Sequence, residues 1–411
     1  MLLRARIVLP ISTPPIEDGA VLISGERIQA IGPWAELRGG YDGEVVDLGG
    51  VVLLPGLINA HCHLDYTDMA GQLAPAKYFS DWIKAIVALK AEWSYTEFAQ
   101  SWIRGAQMLL RSGTTTVLDI EAVPELLPDA LHSTPLRVIS CFELLSIRSQ
   151  KSGQQLVDSA AEKLRTLPVG LAGLSPHAPY STGPEVLQAA VAVTRKNGWL
   201  LTTHVAESAD EFEMYQRGSG PMFEWLKSQR DMSDCGHGSP VAHLARHDVL
   251  SRNFLAVHAN YLAPGDAEIL GRSGASVVHC PRSHAFFGHR AFPLKELDAA
   301  GVNICLGTDS LATVARARGE PLELNMFSEL RAFAASFPAL SPDRVVASAT
   351  ANAAKALGRE NDLGNLAPGA LADLITVPFS GGNPAESVLA HRGDVAASMI
   401  RGQWVFPPAR T

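Results

Sequence analysis

Cysteine is scarce in this chain, and so is charge. Five cysteines, Cys62, Cys141, Cys235, Cys280 and Cys305, are scattered over 411 residues with no CxxC pair. That excludes a disulfide scaffold and a cysteine-based metal ribbon; it fits buried free thiols in a reducing, cytoplasmic setting. Only 18% of residues are charged, too few for a disordered chain. There is no block of Lys and Arg, and the formal net charge is −8. Nucleic acid is therefore not expected as a partner, since phosphate binding needs clustered cations; a single nucleoside or base stays open. No apolar run approaches the ~20 residues of a membrane span. The opening MLLRARIVLP breaks at Pro10, short of a signal peptide's apolar region. No membrane association is expected. Nor does a GxGxxG follow any strand-like run, which removes the dinucleotide fingerprint of an open doubly wound sheet.

What the chain does have is apolar mass, 47% of its residues, enough for a large core plus a smaller satellite. The first 55 residues read as short strands: RIVLP, GAVLISG and RIQAIG, the last two joined by a turn at SGER. ADLITVP and SMIRGQWVF near the other end have the same texture. Both ends are expected to build one small β-sandwich domain, from residues 1–55 and 361–411. Between them, eight apolar, β-branched runs cover 51–65, 114–120, 136–147, 169–181, 199–208, 254–262, 276–284 and 302–312. Stretches with helical spacing, such as FAQSWIRGAQMLLRSG and EVLQAAVAVTRKNG, separate most of them and end in Gly. Strand–helix alternation predicts parallel βαβ units, and eight of them predict a (β/α)₈ barrel of the TIM type over 56–360. The long insertion at about 209–250 is expected to be a helical lid with a loop.

The chemistry sits at the strand ends. In a (β/α)₈ barrel the C-terminal ends of the strands converge on one mouth. His61-Cys62-His63 closes the first run, and strand alternation points both histidines one way and Cys62 the other. HxH is common by chance, but here it ends a strongly apolar strand. His204 closes the fifth run and Asp309 the eighth. Three imidazoles and a carboxylate suit one divalent ion, Zn or Fe, and leave room for water; a core histidine and a helix cap are the plainer readings of His204 and Asp309. Glu207, three residues beyond His204, is placed to move a proton, unless it is a solvated loop residue. His258 is a second proton carrier or a polariser of the substrate. His177, in SPHAPYS, is a candidate for holding a ring nitrogen.

The motifs PGLINAHCHLD, LSPHAPYS, THVAES, AVHANYL and LGTDS, in this order, resemble the amidohydrolase superfamily. More narrowly they are similar to its cytosine deaminase and triazine hydrolase branch, which includes deaminases of adenosine analogues. The likeness spans nearly the whole chain. It implies metal ligands at His61, His63, His204 and Asp309, a proton shuttle at Glu207, assistance from His258 and Asp309, and a substrate contact at His177. Binuclear relatives carry a modified Lys at the end of strand four; SPHAPYS has none, so one ion is expected. Where the family often has CPxSN, this chain has CPRSH, which makes His284 a substrate-side candidate. Arg148 and Arg282 are candidate anchors for an anionic substituent, and Phe79, Trp82, Phe286 and Phe287 for stacking on a ring, with a core stripe the alternative for Trp82. The implied reaction is hydrolytic deamination of an aminated purine nucleoside: aminodeoxyfutalosine, S-adenosylhomocysteine, methylthioadenosine or adenosine. The alternatives are displacement of chloride or amine from a triazine, deamination of cytosine or guanine, and a scaffold that has lost catalysis. The expected partner is a small-molecule substrate, and assembly into a homo-oligomer stays open.

Overall fold

The apolar run at 51–65 is not one strand. In a computed structural model, which describes residues 1–147, 149–166, 172–316 and 321–408, it breaks at Gly56 and serves two sheets. A side chain at Gly56 would fall 2.1 Å from Thr115 Oγ1, so only glycine lets the chain pass there. Before the break lie β1 (Leu2–Val8), β2 (Ile16–Ser24), β3 (Arg27–Pro33), β4 (Val45–Asp47) and β5 (Val51–Pro55). After it come the barrel strands β6 (Leu57–Cys62), β7 (Thr114–Glu121), β8 (Arg137–Leu144), β9 (Ala172–Pro176), β10 (Leu200–Val205), β11 (Phe254–His258), β12 (Ser276–His279) and β13 (Asn303–Leu306). The chain closes with β14 (Leu374–Pro378), β15 (Ala397–Ile400) and β16 (Gln403–Phe406).

The two ends do meet. β14 pairs antiparallel with β5, opposing Val377 to Val52, and β5 pairs with β1. They join in one continuous sheet ordered β16-β15-β14-β5-β1-β2-β3, with β4 against β1. Period-2 alternation gives this sheet two jobs. Leu3, Ala5, Leu53, Leu374 and Met399 fill its own core, whereas Val52, Leu54, Ile375, Val377 and Ile400 join the large core shared with the barrel.

The eight barrel strands are all parallel and follow one another around the sheet from β6 to β13. The ring closes just past β13. The backbone N–H groups of Thr308 and Asp309 both donate to the His61 carbonyl, at 3.0 and 3.1 Å. Asn59 reinforces this seam: its amide donates to Thr308 Oγ1 at 2.7 Å, and its carbonyl accepts from Thr308 N at 3.1 Å. Gly307 packs so tightly there that a Cβ would lie 2.7 Å from the His61 carbonyl oxygen.

The helices end as their sequences suggest. Tyr95–Arg111 starts with a reciprocal Ser94–Glu97 capping box, and Pro184–Asn197 stops at Gly198, left-handed at φ 66°. The 209–250 insertion contains three helices, Ala209–Arg217, Pro221–Leu226 and Pro240–Arg246. Arg230, in its loop, donates to the carbonyls of Pro179 and Tyr180, both at 3.1 Å, and pairs with Asp234. The insertion is thereby tied to the segment that follows β9. No helix among the described residues is long and apolar enough to cross a membrane.

One buried ion pair joins the terminal sheet to the barrel. Arg137, at the start of β8, grips Asp373, just before β14, with both guanidinium nitrogens, and Asp373 Oδ1 also accepts from Arg401 N at 2.9 Å. Removing one partner of such a pair strands the other in the interior, at a cost of about 3–5 kcal/mol. Asp373→Ala is expected to lower stability by about that much in urea unfolding; a change within the ~0.5 kcal/mol of an ordinary surface substitution would show that the pair holds nothing together.

Candidate active site

Three imidazoles converge at the mouth of the barrel. His204 Nε2 lies 3.2 Å from His61 Nε2 and 3.3 Å from His63 Nε2. His61 and His63 come from the end of β6, and His204 from β10 on the far side of the ring. Asp309, just past β13, brings Oδ1 to 3.7 Å from both His61 Nε2 and His63 Nε2. All four residues are buried.

The surroundings fix how these groups point. His204 Nδ1 donates to the His177 carbonyl at 2.7 Å, which leaves its Nε2 lone pair facing the other two rings. Asp309 Oδ2 accepts from Ser283 Oγ at 2.7 Å and from Thr313 Oγ1 at 3.1 Å, and Oδ1 accepts from Ser310 N at 2.8 Å. Backbone strain concentrates here. Ala206, His258, Ala259 and Asp309 are non-glycine residues in the left-handed region, with φ of 52°, 75°, 48° and 55°, a conformation that costs free energy and persists only where the surroundings impose it. The turn at Ala206 leads into Glu207, whose carboxyl lies near His258 and Asp309.

Glu207 Oε1 lies 3.5 Å from His258 Nε2. Its backbone is held on both sides: Glu207 N donates to Glu211 Oε2 at 2.8 Å, and the Glu207 carbonyl accepts from Asn260 Nδ2 at 3.0 Å. Burial, with Asp309 and Glu211 adding to it, pushes the Glu207 carboxyl well above its ordinary value. Burial, with His61 adding to it, pulls His63 down to about 3, and burial likewise takes His258 to about 3. His204 is pulled well below its usual value by the same burial and by the rings around it. Asp309 is held well below the carboxylate range: burial opposes this, but His61, whose Nε2 lies 3.7 Å away, and the neighbouring imidazoles outweigh it. Imidazoles around an ionised carboxylate form a donor set suited to a divalent cation. The ligand atoms of His61, His63 and Asp309 lie within 4.8 Å of one another, as do those of Glu207, His258 and Asp309.

Above this floor is a cavity of about 410 Å³, within the range of small-molecule sites. His177, Glu207, His258 and Asp309 line one end of it. The helix Phe79–Glu92 supplies an apolar wall of Phe79, Trp82, Ile83, Ile86 and Val87, and Trp225 and Gln229 of the insertion complete it. Phe286 and Phe287 do not line the cavity; Phe287 packs edge-on behind Phe79 and Trp82, at 5.1 and 5.0 Å between ring centres.

Besides Phe286 and Phe287, two expectations need correction, and one falls outside the described residues. β12 ends at His279 and a helix, Pro281–Phe287, begins at once. Side chains there radiate around a helix axis instead of alternating along a strand, and the residue that reaches the site is Ser283. Arg282 is turned away and engaged by Glu329, with a further bond to the Glu323 carbonyl at 3.0 Å, so it is not a free anchor for an anion. His284 is not a cavity residue either. Its Nδ1 lies 3.0 Å from Asn260 Oδ1; because the Asn260 amide nitrogen already donates to Glu207, that oxygen accepts and the imidazole donates. His284 thus supports the backbone of Glu207. Arg148 lies outside the described residues.

Two other participants, Tyr66 and Lys90, carry no sequence signal. Tyr66 stacks on His63 with ring centres 5.3 Å apart and planes 10° apart. Lys90 bonds the Tyr66 hydroxyl and lies 3.9 Å from Glu143 Oε2. Burial pushes the Glu143 carboxyl up, but Lys90 and the surrounding histidines more than offset this and keep it below its usual value.

Residues 52–405 match the amidohydrolase family, and residues 19–41 match an imidazolonepropionase-like composite domain of bacteria. The chain is 31% identical to a 5-methylthioadenosine/S-adenosylhomocysteine deaminase of Teredinibacter turnerae, over 89% of this chain and 80% of that protein. It is 30% identical to an aminodeoxyfutalosine deaminase of Deinococcus radiodurans, over 83% and 81%. Its fold is similar to that of a zinc-bound adenosine deaminase from Xanthomonas campestris, with a TM-score of 0.85, 24% identity, and coverage of 98% of this chain and 92% of that one.

Metal analysis of the purified protein is expected to find close to one divalent ion per chain, lost on His61→Ala together with activity. Two tightly held ions per chain would show that the donor set is larger than these four residues.

Proposed function

The chain belongs to the amidohydrolase family, and on that premise we propose that it is a hydrolytic deaminase of adenosine-type nucleosides. The carrying observation is the buried Glu207, 3.5 Å from His258, set over the His61–His63–His204–Asp309 cluster at one end of a nucleoside-sized cavity. The curated relatives named above are deaminases of adenosine derivatives, which favours a purine nucleoside such as aminodeoxyfutalosine, methylthioadenosine, S-adenosylhomocysteine or adenosine. Displacement of chloride or amine from a triazine is the weaker reading, since the relatives that share 30% or more of the sequence are named as deaminases of adenosine derivatives.

In this reading His61, His63, His204 and Asp309 hold one divalent ion, zinc by preference, since three imidazoles and a carboxylate suit it. When bound, the ion lowers the pKa of water from ~15.7 towards ~7. Asp309 takes a proton from the attacking water. Glu207, kept protonated by burial, gives its proton to the ring nitrogen beside the amino-bearing carbon. A carbon–oxygen bond forms, the carbon–nitrogen bond breaks with the proton taken from water leaving in ammonia, and the remaining hydroxyl proton returns to Glu207 as the ring carbonyl forms. His258 holds the Glu207 carboxyl in place, and His177 faces the ring from the cavity wall. We place this chemistry in the cytoplasm, consistent with five free cysteines.

Glu207→Gln is expected to keep the metal and lose about 10²–10⁴-fold in turnover. Retention of activity within a few-fold would remove Glu207 from the proton path. Ammonia release across a panel should rank adenosine-type nucleosides above cytosine, guanine and a chlorotriazine in kcat/KM. If a free base or the triazine ranked first, the nucleoside reading would fall.

A further inference from the structure

The cavity wall holds two opposite charges that the chemistry above does not use. Glu143, at the end of β8, and Lys90, on the helix Phe79–Glu92, both line the cavity, with Lys90 Nζ 3.9 Å from Glu143 Oε2. The Glu143 side chain is only 6% exposed. Among the described residues no group within hydrogen-bond distance donates to its carboxylate; the ammonium is its nearest cation, and it stands beyond that distance. Lys90 is held on the Tyr66 hydroxyl, with its nitrogen 4.5 Å from the centre of that ring. An ammonium carries three donors, so N–H capacity remains after that bond.

A carboxylate buried at a cavity wall with all its lone pairs unused requires donors from whatever fills the cavity. Charge narrows what that can be. An anionic group would be repelled by Glu143, and a cationic group by Lys90. A neutral group that both donates and accepts fits the pair. A vicinal diol fits best: its two O–H groups donate to the two carboxylate oxygens, and one of its oxygens accepts from Lys90. We infer that Glu143 and Lys90 form a subsite for the 2′- and 3′-hydroxyls of the substrate's ribose. This rests on the nucleoside reading and deepens it, because it makes the sugar a requirement and not a passenger.

The test compares adenosine with 2′,3′-dideoxyadenosine in the metal-loaded protein. A site built to bond hydroxyls discriminates strongly against an analogue that lacks them, because its polar groups are left unpaired. Wild type is expected to prefer adenosine by at least about 100-fold in kcat/KM. In Glu143→Gln, which keeps side-chain shape, that ratio should fall to within a few-fold of unity, and Lys90→Met should reduce it in part. Equal use of the two nucleosides by wild type, or an unchanged ratio in Glu143→Gln, would overturn the subsite. Calorimetric binding of both nucleosides to the Glu207→Gln protein separates this from the reaction assignment. Tighter binding of adenosine, abolished by adding Glu143→Gln, without ammonia release from metal-loaded wild type would sink the deaminase reading and leave the sugar subsite standing. Equal binding of the two, with ammonia released from both, would do the reverse.

Discussion

Everything at the mouth of this barrel depends on how its first and last strands are sewn together. The His61 carbonyl accepts two consecutive backbone N–H groups, from Thr308 and Asp309, so one peptide group places two of the four candidate metal donors relative to each other. Asn59 and Gly307 make that approach possible, the first by bonding Thr308 and the second by having no side chain to collide with His61. Without this closure, His61 and Asp309, separated by nearly the whole barrel sequence, would have no fixed distance between them.

The second constraint is burial. Imidazoles in a dry site resist protonation and carboxyls resist ionisation, so the same desolvation that lowers His63 and His258 raises Glu207. Asp309 escapes because imidazoles surround it. Two carboxyls in one site are thereby driven in opposite directions, one towards accepting a proton and one towards giving it, which is the division of labour that hydrolysis requires.

Much of this was legible in the sequence because strands impose a strict geometry. Alternation along β6 puts His61 and His63 on one face, and a parallel barrel brings every strand end to one mouth, so spacing alone points to His204, Glu207, His258 and Asp309 as neighbours. Legibility fails where that geometry stops. Past β12 the chain turns helical, and the strand-end logic that proposed Arg282 and His284 assigns them the wrong directions. Lys90 and Tyr66 are invisible for a related reason. Their positions come from how a helix and the turn after β6 pack across the mouth, which no local pattern encodes. Asn59 left a trace, a polar residue in an apolar strand that its own core does not need, but that trace does not say which strand it bonds.

The helix Phe79–Glu92 carries five residues of the cavity's apolar wall, Phe79, Trp82, Ile83, Ile86 and Val87, and contributes none of the donors on the floor. That helix is fastened where Ser80 donates to Asp210 at 3.1 Å from both its backbone and its hydroxyl, a contact to the segment just beyond Glu207 and not to the histidines. Much of the surface that selects a molecule thus lies on a stretch of chain separate from the groups that act on it. Lineages of this protein can exchange residues along a single helix face and so change which molecule is admitted, while the apparatus that acts on it is inherited intact.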